Sequence, residues 1–278
     1  TLDGTLFPYT TLFRSYVSGP PILAARSLGI PAAIQEQNSF PGIVNRKFAR
    51  WADLIFLGFE DARRYFPRGA EIVFTGNPVR GEIGSKERIK SAESFGFNPS
   101  LKTLLVFGGS QGSRAINRAM SKAVEIVAAQ EVQVIWQTGD REFDSWKPFD
   151  HGANGRIRVF PYLTMMAEAY AASDLAIARA GAVSIAELTA CGLPGIFIPL
   201  PTATNNHQEH NARSLEKAGA AAVILERNLT PELLAETALG IIQSDDRLRE
   251  MSFASSRMGR KDAALRIANV ILERYGNH

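Results

Sequence analysis

The 278 residues carry 45% hydrophobic and 21% charged side chains, a formal charge of +3 and one cysteine. That composition excludes a disordered chain and a disulfide scaffold. The small net charge argues against a dedicated nucleic-acid binder, and no apolar run approaches the ~18 residues that span a bilayer. The basic surplus is concentrated early: residues 1–90 hold 12 Lys+Arg against 8 Asp+Glu, while 91–278 hold 19 against 20. A basic first third suits an anionic membrane surface or a pyrophosphate ligand, and equally an ordinary solvated surface. Cys191 cannot form an internal disulfide; it fits a reducing compartment and reads as a small core residue.

Residues 1–15 show neither helical nor alternating periodicity and lack the basic start and apolar core of a signal peptide. They are expected to be non-native text outside the fold. From Tyr16 strands and helices alternate. A helix over 21–28 precedes a strand over 31–35, a helix over 42–50 precedes a strand over 54–59, and a further strand covers 71–75. Residues 81–100 read as a linker with a short helix. A second series follows, with strands over 103–107, 133–137, 156–160, 174–178, 195–199 and 222–225. Helices over 113–129, 164–172, 182–191 and 206–218 lie between them, and helices near 231–243, 245–255 and 260–275 close the chain. This rhythm predicts α/β domains with parallel, doubly wound sheets. The first series has about three strands, too few for a finished doubly wound sheet, so its domain is expected to be incomplete. The expected division is 16–85 for a partial N-terminal domain, 86–258 for a nucleotide-sugar domain, and 259–278 for a helix returning to the first.

The segment Ala180 to Pro194 is the most informative. A small-residue loop opens a helix, Glu187 sits one and a half turns in, and Gly192-Leu193-Pro194 ends it. A helix N-terminus offers unpaired N–H groups and positive dipole to a phosphate. Glu187 then lies within reach of a sugar diol, which is the layout of a nucleotide-sugar pocket. Gly108-Gly109-Ser110-Gln111-Gly112 between the strand 103–107 and its helix lets backbone N–H groups approach a phosphate, or is merely a tight turn. It is neither a spaced G-x-G-x-x-G nor a P-loop. The next strand ends in Gln137 rather than the acid of a dinucleotide site, which weakens a nicotinamide-dependent oxidoreductase.

Three further clusters are polar. Asn77-Pro78-Val79-Arg80 follows a strand at the domain boundary, and Arg80 can pair with a pyrophosphate. Gln35-Glu36-Gln37-Asn38 ends a strand at the carboxyl edge where α/β sheets bind ligands; alternatively Asn38 or Ser39 caps the next helix. Asn205, His207, Gln208 and Asn211 gather donors and acceptors at one helix start. His207 and His210 lack a third ligand, so no metal is expected. The absence of Asp-x-Asp leaves N–H dipoles and Arg to stabilise a leaving pyrophosphate. Asn45-Arg46-Lys47-Phe48-Ala49-Arg50-Trp51 either lies on anionic lipid or packs on the sheet with a basic outer face.

Together Tyr16-Val17-Ser18-Gly19-Pro20, Glu36-Gln37-Asn38, Gly76-Asn77-Pro78-Val79-Arg80, Gly108 to Gly112, Arg179-Ala180-Gly181-Ala182, Glu187, Asn206-His207-Gln208 and Asn211-Ala212 resemble the MurG family of glycosyltransferases. The resemblance implies a GT-B fold of two Rossmann-like domains, the first incomplete here. It implies inverting transfer of N-acetylglucosamine from UDP-N-acetylglucosamine to undecaprenyl-pyrophosphoryl-muramoyl-pentapeptide, without a cofactor. The place implied is peripheral, at the cytoplasmic face of the bacterial inner membrane.

By the same resemblance, the Leu163 backbone with Tyr162 beside it reads uracil, and Glu187 holds the ribose. Ser110, Val183 and Ser184 contact phosphates. Asn38, Arg80, Gln208 and Asn211, with His207 alongside, serve the sugar-pyrophosphate portion. Gln35 stands where many members have His, and Ala180 where Ser is common. The family's N-terminal Gly-rich loop, which carries the candidate base, is absent from the sequence. General-base catalysis contributes roughly 10²–10⁴-fold, so donor binding with little or no transfer is expected. A UDP-N-acetylglucosamine 2-epimerase-like enzyme and a non-catalytic nucleotide-sugar module are the alternatives.

Overall fold

A computed structural model describes residues 19–276. The segment 1–15, the motif residues Tyr16 to Ser18, and 277–278 lie outside the described residues. Two separate parallel sheets organise the chain.

The first sheet has the order β1-β2-β3, with β1 Ala33–Glu36, β2 Leu54–Leu57 and β3 Ile72–Phe74. β1 starts two residues later than the sequence suggests; just before it the Ala32 amide donates to the Asp53 carboxylate at 2.8 Å. Helix α1 (Gly19–Ser27) and helix α2 (Ile43–Phe48), extended by a 3₁₀ turn Ala49–Trp51, cover this sheet. Ile22, Ile34, Ala49, Ile55 and Leu57 form its core, with Phe48 and Trp51 packed against it. The two aromatics of 45–51 therefore face the protein, and Lys47 and Arg50 are left exposed. The packed reading of this segment is the one the structure adopts.

A short helix α3 (Arg88–Ser94) leads to the second sheet, of order β6-β5-β4-β7-β8-β9. Its strands are β4 Thr103–Phe107, β5 Gln133–Gln137, β6 Ile157–Phe160, β7 Leu175–Ala178, β8 Gly195–Phe197 and β9 Ala221–Val223. Alternation along β4 divides the core. Leu104 and Val106 face one layer with Ile116, Met120, Val124 and Val127 of α4 (Arg114–Ala129). Leu105 and Phe107 face the other, with Tyr170 of α7 (Met166–Ala172) and Ile185 and Leu188 of α8 (Ala182–Ala190). The α4 residues recur at three- and four-residue intervals, which is why one stripe of that helix is buried. Between β5 and β6 the chain makes the short turns α5 (Phe143–Trp146) and α6 (Gly152–Gly155) and two 3₁₀ turns. No sequence periodicity announced them, since elements of one turn carry no repeat. The rest is α9 His207–Lys217, α10 Pro231–Ile242, α11 Asp245–Met258 and α12 Ala263–Tyr275.

The order of the second sheet places the site. From β4 the chain moves outward through β5 and β6, then returns to the other side of β4 as β7. The reversal lies between β4 and β7, and the crevice outside the carboxyl ends of such neighbours is where open α/β sheets bind ligands. Phe107 pairs in register with Ala178, so the loops 108–113 and 179–181 leave the sheet side by side.

α12 lies against the first sheet. Arg274 pairs with Glu71, and the Arg260 guanidinium sits 5.2 Å over the Phe74 ring. Among the described residues no helix is long and apolar enough to cross a membrane.

Candidate functional site

The loop after β4 is shaped by glycines that no other residue can replace. Gly112 has φ +72°, and a Cβ there would lie 1.9 Å from the Thr138 carbonyl oxygen. At Gly108 a Cβ would meet the Ser113 nitrogen at 2.3 Å. The Gln137 amide donates to the Gly109 carbonyl at 2.9 Å. The residue standing where a dinucleotide enzyme has its acid thus ties down the glycine loop. Ser113 caps α4, accepting from the Ile116 N–H, and Ser110 is exposed at the loop tip.

Across the crevice, α8 opens at Gly181 with no side-chain cap. α4, α10 and α11 are capped by Ser113, Thr230 and Ser244. α2, α7, α9 and α12 lack a side-chain cap as α8 does, and the start of α8 is the one at the β4–β7 switch point. The first N–H groups of α8 are therefore left for a ligand or water, and the helix dipole adds partial positive charge. Val183 is 48% exposed in that first turn, and Ser184 is half-buried beside it.

Glu187, one turn further, is buried but for one edge. Its Oε2 accepts a 2.9 Å hydrogen bond from the Tyr170 hydroxyl, and its Oε1 lies 3.4 Å from Arg80 Nε. Arg80 also pairs with Glu82 at 3.2 Å. The structure therefore brings Arg80, from the segment after the first sheet, to Glu187 of the second. Leu163, just after β6, is buried, and Tyr162 beside it is 53% exposed.

The start of α9 joins the two sheets. Asn205 and Asn206 both take positive φ, +53° and +55°, a conformation Asn tolerates better than most residues. His207 Nδ1 lies 2.6 Å from the Thr204 carbonyl, so that nitrogen carries the hydrogen. Gln208 Oε1 accepts from the Leu200 N–H at 3.0 Å. His210 stacks on Phe40 at 4.9 Å.

Asn211 is fully buried and its carboxamide makes four contacts. Nδ2 donates to Asn38 Oδ1 at 3.1 Å and to the Ala180 carbonyl at 3.3 Å. Oδ1 accepts from the Ser39 amide and hydroxyl. Asn38 and Asn211 are thus together, and they link the end of β1 to the loop before α8.

Three residues, two of them from the polar clusters of the sequence, hold this geometry without facing the crevice themselves. Glu36 is buried at the end of β1. Its carboxylate accepts from the Asn38 amide at 2.8 Å, the Gly42 amide at 3.0 Å and Asn45 Nδ2 at 2.8 Å. The capping expectation for Asn38 or Ser39 is corrected accordingly: Gly42 is the N-cap of α2, without a side-chain cap, and Glu36 takes its N–H. A signal existed in the sequence. Glu36 has the strand parity of Ile34, and a carboxylate on the buried face demands several donors. Asn77 is the second, donating to the Gln37 carbonyl at 2.8 Å and accepting from Gln35 Nε2 at 3.3 Å. Tyr170 is the third, and nothing in its Ala-rich helix marks it.

A cavity of about 370 Å³ lies between the two sheets, walled by Gly58, Phe59, Gly76 and Asn77 on one side and Ile185, Ala186 and Thr189 on the other. At 100° per residue these α8 positions face away from Val183, Ser184 and Glu187. None of the expected site residues lines the cavity, and the body of α8 separates it from Val183, Ser184 and Glu187.

Comparison with known proteins shows the family and the fold. Residues 103–267 match the glycosyltransferase family 28 C-terminal domain, and 6–57 match its N-terminal domain. The chain is 42% identical over 255 residues to the UDP-N-acetylglucosamine–N-acetylmuramyl-(pentapeptide) pyrophosphoryl-undecaprenol N-acetylglucosamine transferase of Desulforamulus reducens, covering 89% of this chain and 68% of the relative. The crystal structure of Acinetobacter baumannii MurG superposes with TM-score 0.78 at 29% identity, over 94% of this chain and 72% of that one. A UDP-N-acetylglucosamine 2-epimerase structure superposes with TM-score 0.64 at 20% identity, over 92% of this chain and 69% of that one. That last likeness is one of fold alone.

Proposed function

The chain belongs to the MurG family of glycosyltransferase family 28, with a GT-B fold, and on that premise we propose that it transfers N-acetylglucosamine from UDP-N-acetylglucosamine to undecaprenyl-pyrophosphoryl-muramoyl-pentapeptide. The transfer inverts the anomeric centre and serves peptidoglycan synthesis. The observation that carries the reading is the uncapped start of α8 at the β4–β7 switch point, with Glu187 one turn behind it.

In this reading the donor lies along the crevice. Uracil meets the Leu163 backbone beside Tyr162, and the ribose diol reaches Glu187. The diphosphate lies between the glycine loop at Ser110 and the first turn of α8 at Val183 and Ser184. Charge grows on the leaving UDP as the glycosidic bond breaks. The N–H groups of α8 are aimed before the reaction, so they stabilise that charge without reorganising. Arg80 adds a full positive charge on a long stem and needs only to turn from Glu187 to the diphosphate. Asn38, His207, Gln208 and Asn211 line the side where the sugar projects toward the first domain. We assign no described residue as the base that takes the acceptor proton.

The acceptor is anchored in a bilayer, so the enzyme is read as a peripheral protein at the cytoplasmic face of the inner membrane. Leu28 is 73% exposed after α1, with Leu23 and Ile30 also exposed near Arg26. With Lys47 and Arg50 they supply apolar and cationic side chains for an anionic surface.

Calorimetric titration with UDP-N-acetylglucosamine tests the donor site, with Glu187→Ala as comparison. Saturable binding, weakened at least tenfold in the variant, is expected. Equal binding by both proteins would overturn the site. UDP released without the lipid acceptor, together with a 2-epimer, would overturn the transferase reading in favour of an epimerase.

A further inference from the structure

We infer that Tyr170 determines ribose recognition by holding Glu187 in the rotamer that presents its carboxylate to a vicinal diol. The inference rests on the reading of Glu187 as the ribose ligand. Tyr170 is a positioning residue: it acts through Glu187 and touches no substrate.

The geometry is anchored from the dry side. The Tyr170 ring is 2% exposed and edge-on to Phe107, with centroids 6.1 Å apart at 65°. Its hydroxyl therefore has one fixed position, 2.9 Å from Glu187 Oε2. Burial, then the Glu187 charge, push the phenol well above its ordinary range, so it remains a donor. The other group on the carboxylate is Arg80, half-exposed and shared with Glu82. An exposed, flexible cation cannot fix a rotamer, and Arg80 alone would draw the carboxylate outward.

The lone pairs agree with the assignment. A carboxylate has about four acceptor sites. Tyr170 takes one on Oε2 and Arg80 faces one on Oε1. At least two remain, and a third is freed when Arg80 turns to the diphosphate, enough for the 2′- and 3′-hydroxyls of a ribose.

Tyr170→Phe removes only the hydroxyl. Affinities for UDP and 2′-deoxy-UDP are measured by calorimetry in the wild type, Y170F, Glu187→Ala and the double variant. The wild type is expected to prefer UDP. Y170F is expected to lose about tenfold in UDP affinity, with 2′-deoxy-UDP affected much less. Adding Y170F to the Glu187→Ala background is expected to change nothing further. The 2′-deoxy-UDP affinity is the fold control: a Y170F protein that loses both ligands equally marks a merely structural tyrosine and overturns the inference. Unchanged preference in Y170F overturns the inference, as does an equal UDP loss with and without Glu187, which marks a merely structural tyrosine. A Glu187→Ala variant that keeps the wild-type preference overturns the ribose reading itself and is distinguishable from either.

Discussion

The carboxamide oxygen of Asn211 accepts both the amide and the hydroxyl of Ser39, at 2.9 and 3.1 Å, across 172 residues of chain. The nitrogen of the same carboxamide holds Asn38 and the Ala180 carbonyl. One buried side chain thus fixes the end of β1 against the loop that opens α8. The two loops are set relative to each other by this group.

Asn211→Ala should therefore destabilise the protein by about 2–4 kcal/mol, because it leaves buried polar groups of Ser39 and Ala180 without partners. Denaturant unfolding with an unchanged m-value measures this. A loss below about 1 kcal/mol would show that other contacts dock the first sheet on α9.

Gly112→Ala should cost about 2–4 kcal/mol and weaken donor binding, since both φ +72° and the Thr138 carbonyl oppose a Cβ. Gly155→Ala is the control. It too has positive φ, +83°, but nothing lies within 4 Å of the added carbon, so only the backbone strain of about 1–2 kcal/mol applies. Equal losses in the two variants would show that contact with Thr138 is not what the loop requires.

Cys191 caps the C-terminal end of α8 beside the core, and burial pushes its thiol up to about 11. A raised pKa keeps the thiol protonated near neutrality, and the thiolate is the nucleophile. Alkylation at pH 8 should run roughly a hundredfold slower in the folded protein than in denaturant. The sign for stability follows from linkage. Between the ordinary value of 9.0 and about 11 the unfolded thiol ionises first, so this group's contribution is full below pH 9 and falls as pH rises toward 11. Cys191→Ser should flatten that alkaline slope; a slope unchanged by the substitution would remove the thiol as its cause.

Lys47→Glu with Arg50→Glu should reduce flotation with anionic vesicles while leaving neutral vesicles unaffected, because these side chains are exposed on α2 and the 3₁₀ turn that extends it. The aromatic residues of that segment should not matter to binding, since Phe48 and Trp51 pack on the first core. Flotation that survives the charge reversal would assign the membrane contact to the apolar residues Leu28 and Ile30 instead.

The sequence by itself determined the strand–helix rhythm, and β4 and β5 span the expected residues 103–107 and 133–137. It also determined the glycine loop and the small-residue start of α8. These are properties of contiguous residues, governed by backbone sterics and by periods of two and 3.6. The tertiary structure alone decided which polar groups meet. Glu187 faces Tyr170 from a neighbouring helix and Arg80 from the first domain, and Asn211 meets Ser39 across the length of the chain. Only the fold sets such distances. Burial then requires each polar group to find a partner, and the crossing of the chain decides which partner is there.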